Sequence, residues 1–175
     1  MKKINCNPAL RCCLFVGCIG LILLSGCAGA GEPRSESRAA SLEIYDVLGR
    51  YFDAFNRADI EEITAAWHAP GWFSLGDSVR LLDSKDQIGQ LYQQLLEKIK
   101  GEGFDHSELL SEEIEILNET AALCRITFTR LKSDGQFMPP RVRGALLKLL
   151  KVDGRWGIQS VSLESVPGRE SAAVD

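Results

Sequence analysis

The fold of this chain is decided by one stretch near its end, Arg141-Val-Arg-Gly-Ala-Leu-Leu-Lys-Leu-Leu-Lys-Val-Asp-Gly-Arg-Trp-Gly-Ile-Gln-Ser-Val-Ser-Leu-Glu164. Two runs rich in apolar and β-forming residues flank the dipeptide Asp153-Gly154. An Asp-Gly pair supplies the positive φ angles of a tight hairpin turn, so the stretch predicts two long antiparallel strands. We expect this hairpin to form the centre of a curved sheet on which the earlier helices pack.

Three helices are predicted upstream of the hairpin. The first begins after Ser41, and its apolar residues recur at three- and four-residue steps: Leu42, Tyr45, Leu48, Tyr51 or Phe52, and Phe55. Asp59 is a plausible N-cap for a short helix over residues 60–67, which residues 68–71 end. Ser84 and Gln87 form a capping-box pattern at the start of a long helix that two glycines, Gly101 and Gly103, stop.

The remaining segments predict strands. Residues 72–75 and 79–82 form two short strands, a third strand ends at Asn118-Glu119, and a fourth alternates apolar and polar residues from Ala122 to Phe128. The order of helices followed by longer strands predicts an α+β fold. If Cys124 faces the core, Arg125, Thr127 and Thr129 point outward; if it does not, those three line a cavity.

Composition and charge exclude some classes of function. The chain has 175 residues and a net charge of -4, and residues 1–26 carry three basic residues (Lys2, Lys3 and Arg11) and no acidic one. The mature chain is therefore more acidic still and has no basic stripe, which argues against a nucleic-acid partner. Of six cysteines only Cys124 lies in the folded region, so neither a disulfide framework nor a cysteine metal site is predicted.

The N-terminus predicts an exported protein with a lipid anchor. A basic start and an apolar segment too short to span a membrane are typical of a secretory signal. Leu24-Ser25-Gly26-Cys27 follows and resembles the bacterial lipobox. The resemblance implies a signal peptide over residues 1–26, cleavage after Gly26, and acylation of Cys27, detectable with labelled palmitate. An ordinary cleaved signal and an uncleaved anchor are the alternatives.

Two further boundaries follow from the N-terminal signal. Ala28 rather than Asp follows the cysteine, which by the enterobacterial sorting rule implies the periplasmic face of the outer membrane. Residues 27–41 comprise the acylated cysteine and a small, polar stretch that predicts a flexible tether. The folded domain is expected over residues 42–165, and residues 166–175 are expected to form a disordered tail.

Several motifs resemble the nuclear transport factor 2-like superfamily, which includes ketosteroid isomerase and SnoaL-like domains. They are Arg50-Tyr-Phe-Asp-Ala-Phe-Asn-Arg-Ala-Asp59, then Trp67, Ser84-Lys-Asp-Gln-Ile88, and Asp153-Gly-Arg-Trp-Gly-Ile158. The resemblance implies a cone-shaped roll with three N-terminal helices packed on a curved antiparallel sheet. It also implies an open end that can hold a small apolar ligand and an outer sheet face that often makes homodimers.

The isomerase residues do not carry over onto this sequence. The isomerase uses an aspartate base, with a tyrosine and a protonated aspartic acid that stabilise the enolate. Tyr51 falls at the tyrosine position. An ungapped alignment places Leu75 at the base and Lys148 at the acid, and neither side chain can do that chemistry. Asp77 is the nearest carboxylate, and we expect it in a solvated turn.

Other candidate residues have structural alternatives. Tyr51, Trp67, Trp72 and Phe73 are candidates to line a cavity, or they pack in the core. His68 and His106 lack the spacing of a metal site, so no metal or cofactor is predicted. An acidic group, read as a solvated strand face rather than a cation site, comprises Glu108, Glu112, Glu113 and Glu115.

Three functions remain open on the sequence. The first is a lipid-anchored envelope protein whose cone binds a small apolar ligand or a protein partner without catalysis. The second is an isomerase, cyclase or dehydratase of the SnoaL-like group, and the third is a dimerising assembly module. A roomy cavity with polar groups favours the first two, and a carboxylate pointing into it favours an enzyme.

Overall fold

The computed structural model describes residues 33–164 and residue 166, so the predicted signal peptide, Cys27 and the tail beyond residue 166 lie outside the described residues. Within the described part, helices and strands follow in this order: α1 Pro33–Arg57, α2 Ile60–Ala65, β1 Trp67–Leu75, β2 Ser78–Leu82, α3 Lys85–Gly101, β3 Phe104–Asn118, β4 Ala121–Lys132, β5 Arg143–Val152 and β6 Arg155–Glu164. No described helix is both long and apolar enough to cross a bilayer.

The predicted α+β fold is confirmed, and the C-terminal hairpin is the centre of its sheet. The strand order is β2-β1-β6-β5-β4-β3, so the two hairpin strands occupy the middle. Asp153 and Gly154 join them with φ angles of 50° and 76°, as the Asp-Gly turn requires. Four of the strand pairings are antiparallel and one, between β1 and β6, is parallel.

Helix α1 starts earlier than predicted and buries a different face near its beginning. It begins at Pro33, so residues 33–41 of the predicted flexible tether are helical. Leu42 and Tyr45, predicted to face the core, are 62% and 40% exposed, while Ile44 and Val47 are buried. The buried stripe continues through Leu48, Tyr51 and Phe55 at three- and four-residue steps. The helical period was right, and its phase over the first turns was wrong.

Strand β1 replaces most of the loop predicted after the second helix. Helix α2 ends at Ala65, and β1 begins at Trp67 instead of Trp72. Trp67 pairs with Ile158 of β6, the register shifts, and pairing resumes at Trp72 with Ser160. Pro70 falls within the shifted segment, where a strand tolerates a residue without an N–H donor. Pairing with β6 at Trp67 and again from Trp72 therefore keeps the turn-forming residues 68–71 within one extended strand.

Helix α3 closes over the sheet as its pattern predicted. Ser84 accepts a hydrogen bond from the Gln87 N–H at 3.3 Å, which is half of a capping box. The Gln87 side chain accepts from the Asp83 N–H at 2.9 Å rather than from Ser84. Its core-facing residues include Ile88, Tyr92, Leu96 and Ile99.

Strand β4 settles which sheet face is inside. Cys124, Ile126 and Phe128 are buried, so the neighbouring Arg125 points outward and is exposed. Burial raises the pKa of the Cys124 thiol to about 12, which is the behaviour of an inert core cysteine. Thr129 lies on the outer face yet is buried, and its hydroxyl donates to the Arg141 carbonyl oxygen of the β4–β5 loop at 2.7 Å.

Candidate ligand-binding cavity

The inner face of the sheet, α1 and α3 enclose a small cavity of about 40 Å³. Its wall is mostly aromatic and aliphatic, with two further polar side chains. The aromatic residues are Tyr51, Phe52, Phe55, Phe73, Tyr92 and Phe128. The aliphatic residues are Leu95, Ile126, Ala145, Leu147, Val161 and Leu163, and the polar ones are Ser107 and Arg130.

Two of the four aromatic residues singled out in the sequence lie on this wall. Tyr51 of α1 and Phe73 of β1 line the cavity. Trp67 is fully buried in the core, where its ring contacts Tyr92 at 6.0 Å between centroids. Trp72 is 47% exposed, because it follows the opposite face of β1 from Phe73. Strand alternation thus separates neighbouring aromatic residues into a cavity-facing one and an outward-facing one.

The cavity contains a buried tyrosine pair that sequence reasoning missed. The Tyr51 and Tyr92 hydroxyl oxygens are 2.9 Å apart, so one hydroxyl donates to the other. Burial raises the pKa of both phenols, that of Tyr92 well above its ordinary value of 10.0. Both are therefore protonated at neutral pH, and one of the two hydroxyl hydrogens remains free to donate to a ligand. In the sequence, Tyr92 is one of several residues at core-facing helical spacing in α3, and nothing local separates it from the others.

Arg130 is the second missed residue. It follows Ile126 and Phe128 at two-residue steps on the core-facing side of β4. Three aromatic rings surround its guanidinium: the distances from the guanidinium carbon to the ring centroids are 5.5 Å for Phe55, 5.9 Å for Phe104 and 5.6 Å for Phe128. Its Nε atom is buried without a hydrogen-bond partner. Burial, and then the Arg143 charge, lower the pKa of Arg130 to about 10, so it stays charged at neutral pH. Continuing the β4 alternation by one step would have predicted an inward arginine.

Ser107 lies directly across from Arg130 in the β3–β4 register. Its side chain is 6% exposed, and its hydroxyl oxygen is also buried without a partner. Asn56 fixes the strand at this point, since its side chain donates to the Ser107 carbonyl oxygen at 3.0 Å and accepts from the Ser107 N–H at 2.8 Å. The Phe-Asn motif of α1 therefore aligns β3 with the cavity.

Of the residues aligned with the isomerase catalytic groups, Tyr51 lies on the cavity wall, whereas those aligned with the base and the acid lie outside the cavity. Lys148 is exposed on the outer sheet face, while its neighbours Leu147 and Leu149 point inward, so the ungapped alignment put the wrong residue in the cone. Leu75 is 58% exposed near the opening. Asp77 lies in the exposed turn between β1 and β2, as expected. No described carboxylate or histidine lines the cavity.

The two histidines occupy separate environments. His68 Nε2 lies 3.1 Å from the Leu150 carbonyl oxygen and 3.2 Å from that of Arg155, and Arg155 donates to His68 Nδ1 at 3.3 Å. His106 Nδ1 lies 2.7 Å from Asp105 Oδ2 and its Nε2 lies 3.5 Å from Glu108 Oε1. Within the described part of the chain, no three potential ligand side chains gather into a metal site.

A wider vestibule adjoins the cavity. It measures about 220 Å³ and shares Phe73, Leu95 and Leu163 with the cavity wall. Its remaining wall includes two basic side chains, Arg80 and Lys98, and no described acidic one. The cavity and the vestibule therefore share an apolar wall, and the charged side chains that line the two are all cationic.

A cone of helices closed on a curved sheet, with a small internal cavity, is the architecture of nuclear transport factor 2-like (NTF2-like) proteins. A family of NTF2-like proteins, DUF6841, matches residues 42–163, and the chain belongs to this family. A comparison with curated protein sequences finds no match.

Solved structures share the fold at low sequence identity. An NTF2-like protein with a cystatin-like fold from Novosphingobium aromaticivorans has a TM-score of 0.61 and 18% identity, covering 83% of this chain and 96% of that one. A protein of unknown function from Mycobacterium tuberculosis has a TM-score of 0.62 and 19% identity, covering 83% and 84%. A candidate scytalone dehydratase from N. aromaticivorans has a TM-score of 0.59 and 18% identity, covering 76% and 88%.

Proposed function

We propose that this protein is a lipid-anchored cell-envelope protein whose cone binds a small, mainly apolar molecule without transforming it. The observation that carries the proposal is the cavity wall, in which twelve of fourteen side chains are aromatic or aliphatic and the polar ones converge. Apolar walls with a few placed polar groups are typical of small-molecule sites. The absence of a carboxylate or histidine from the described wall argues against proton abstraction there.

The size of the cavity limits how a ligand sits in it. A volume of about 40 Å³ admits a few atoms, whereas pockets for drug-sized ligands measure about 300–1,000 Å³. The bulk of the ligand therefore lies in the vestibule of about 220 Å³, and only one end reaches the tyrosine pair. This arrangement favours a small molecule over a large hydrophobic one.

The proposed location is the periplasmic face of the outer membrane, with acyl chains on Cys27 as the membrane partner. The lipobox pattern and Ala28 support this placement. Several acyl chains anchor a protein stably where one chain does not. The cone would then sample small molecules that cross the envelope.

An enzyme of the dehydratase type is the second candidate, and the Tyr51–Tyr92 pair favours it. Two neutral phenols can donate hydrogen bonds to an oxyanion or a leaving hydroxyl. The candidate scytalone dehydratase with the same fold is consistent with such chemistry. A proton acceptor is still required, and a substrate group or a residue outside the described wall would have to supply it.

A homodimer through the outer sheet face is a further proposal that is compatible with either function. Trp72 and Leu81 are cross-strand partners on that face, and they are 47% and 44% exposed. Large apolar side chains in solvent often mark an interaction surface. Native mass spectrometry of the protein gives its mass directly, and a monomer at micromolar concentration would contradict the dimer.

Binding in the cone is tested with 2-phenylethanol, a small neutral aromatic alcohol. We expect saturation-transfer difference NMR to detect binding to the detergent-solubilised protein above a detergent blank. Leu163→Trp blocks the junction between cavity and vestibule and should abolish the signal, whereas Leu117→Trp, at an exposed position on β3, should retain it. Equal signals from both variants would contradict binding in the cone.

A further inference from the structure

Two polar side chains on the cavity wall lack hydrogen-bond partners, and they lie side by side on adjacent strands. Arg130 and Ser107 are paired positions of β4 and β3, and the Arg130 Nε atom and the Ser107 hydroxyl are both buried without a hydrogen bond. Buried polar groups are nearly always satisfied, so two such groups on one cavity wall point to a bound molecule as their partner. Both side chains line the same cavity.

Arg130 also has no direct ion-pair partner among the described residues. The ion pairs among the described residues do not include it, and the aromatic rings of Phe55, Phe104 and Phe128 surround its guanidinium. Glu102 contributes a favourable charge from beyond ion-pair distance, while Arg143 opposes it. Cation–π contacts hold and orient the guanidinium, but they leave its N–H groups free.

All the polar groups on this wall are able to donate. Arg130 offers N–H donors, Ser107 offers a hydroxyl, and the tyrosine pair has one hydroxyl hydrogen to spare. The matching ligand group must accept several hydrogen bonds and carry negative charge. A carboxylate meets both requirements, and a planar guanidinium recognises it through two parallel bonds.

We propose that Arg130 and Ser107 form a carboxylate subsite, so that the ligand of the cone is a small carboxylic acid with an apolar body. The proposal rests on the proposed binding function and names its ligand class. The carboxylate fits the small cavity, and the apolar body extends along Phe73, Leu95 and Leu163 into the vestibule. Arg80 and Lys98 at the vestibule add attraction for an anion as it enters.

The experiment compares phenylacetate with 2-phenylethanol, which differ mainly in the carboxylate. Both are titrated into the full-length protein in mild detergent and followed by NMR. We expect phenylacetate to bind the unmodified protein about tenfold or more tightly, since a hydrogen bond to a charged group is worth about 1.5–3 kcal/mol. Arg130→Met should bring the ratio of the two affinities close to one while binding of 2-phenylethanol persists.

Matched variants distinguish loss of the carboxylate subsite from a general effect of charge and from loss of the fold. Arg125→Met removes an exposed arginine from the outer face of the same strand and should leave the ratio unchanged. Ser107→Ala should lower the affinity ratio about three- to tenfold, because one hydrogen bond to the carboxylate is lost. The fold should be retained, since Asn56 binds the Ser107 backbone and not its hydroxyl. Arg130→Lys keeps the charge without the planar fork and should give an intermediate ratio.

Each outcome decides between the two proposals. A ratio near one for the unmodified protein overturns the carboxylate subsite and leaves cone binding intact, whether or not Arg130→Met folds. Binding of neither probe overturns both. Tight phenylacetate binding that Arg125→Met weakens as much as Arg130→Met also overturns the subsite, because a diffuse charge effect would then explain it.

Discussion

At the residue scale, the His68 ring occupies the space beside Gly157. A Cβ on Gly157 would lie 2.6–3.0 Å from three atoms of that ring, closer than side chains normally approach. We therefore predict that Gly157→Ala destabilises the fold by about 1–3 kcal/mol, the usual cost of overpacking. Urea unfolding measures the change.

Gly49 provides the control for this substitution. It lies on the exposed face of α1 with no heavy atom within 4 Å of an added Cβ. Gly49→Ala should stabilise the protein by about 0.5–1 kcal/mol, because alanine favours the helix. Equal effects of the two substitutions would contradict the close contact with His68.

His68 and His106 should contribute to folding stability with opposite dependences on pH. Burial, and then the Arg155 charge, lower the pKa of His68 below its ordinary 6.5, so the unfolded chain takes up the proton more readily. The contribution of His68 is fully present above pH 6.5 and falls as the pH drops. The hydrogen bond to Asp105 raises the pKa of His106, whose contribution is present below pH 6.5 and lost as the pH rises through the raised value.

Urea unfolding of two variants at about pH 8 and about pH 5.5 measures these two pH dependences. On going to the lower pH, His68→Gln should lose less stability than the unmodified protein, and His106→Gln should lose more. If both variants lost more stability than the unmodified protein, or both lost less, the assigned contacts would be contradicted.

At the scale of single elements, the C-terminal hairpin depends on its turn. Gly154 has a φ of 76°, where a Cβ is strained, and nothing else crowds that position. We predict that Gly154→Ala lowers stability by about 1 kcal/mol through backbone strain alone. Because β5 and β6 are central in the sheet, the loss should appear in one cooperative unfolding transition. A local change in the hairpin without a shift of that transition would contradict its central role.

Element boundaries show where local pattern ends and tertiary pairing begins. Periodicity located α3 and the strands from β3 onward because each buries one regular face. It missed the start of α1 and most of β1, since residues 68–71 have turn-forming character and are extended only because β6 pairs with Trp67 before them and with Trp72 after them. The phase of the first turns of α1 failed for a similar reason, because several apolar residues offered competing faces and packing selected Ile44 and Val47.

At the scale of the whole molecule, the lipid anchor remains a prediction from residues 24–27. Cys27→Ser should move the protein from the membrane fraction to the soluble fraction and abolish metabolic labelling with palmitate, because the acylated thiol is gone. Cys18→Ser is the control, since Cys18 also follows a glycine but lies within the apolar segment of the predicted signal, and it should change neither. Persistent labelling of Cys27→Ser would contradict the lipobox assignment.

The sequence by itself determined the α+β class, the central hairpin and the family, because helical and strand periods and an Asp-Gly turn are local properties of the chain. Tertiary structure alone decided which side chains meet inside the cone. Tyr51 and Tyr92 are 41 residues apart and come from two helices, and Ser107 and Arg130 come from two strands. Their contact depends on register and packing, which single-residue patterns do not encode, so the donor-lined cavity emerged only when the elements were assembled.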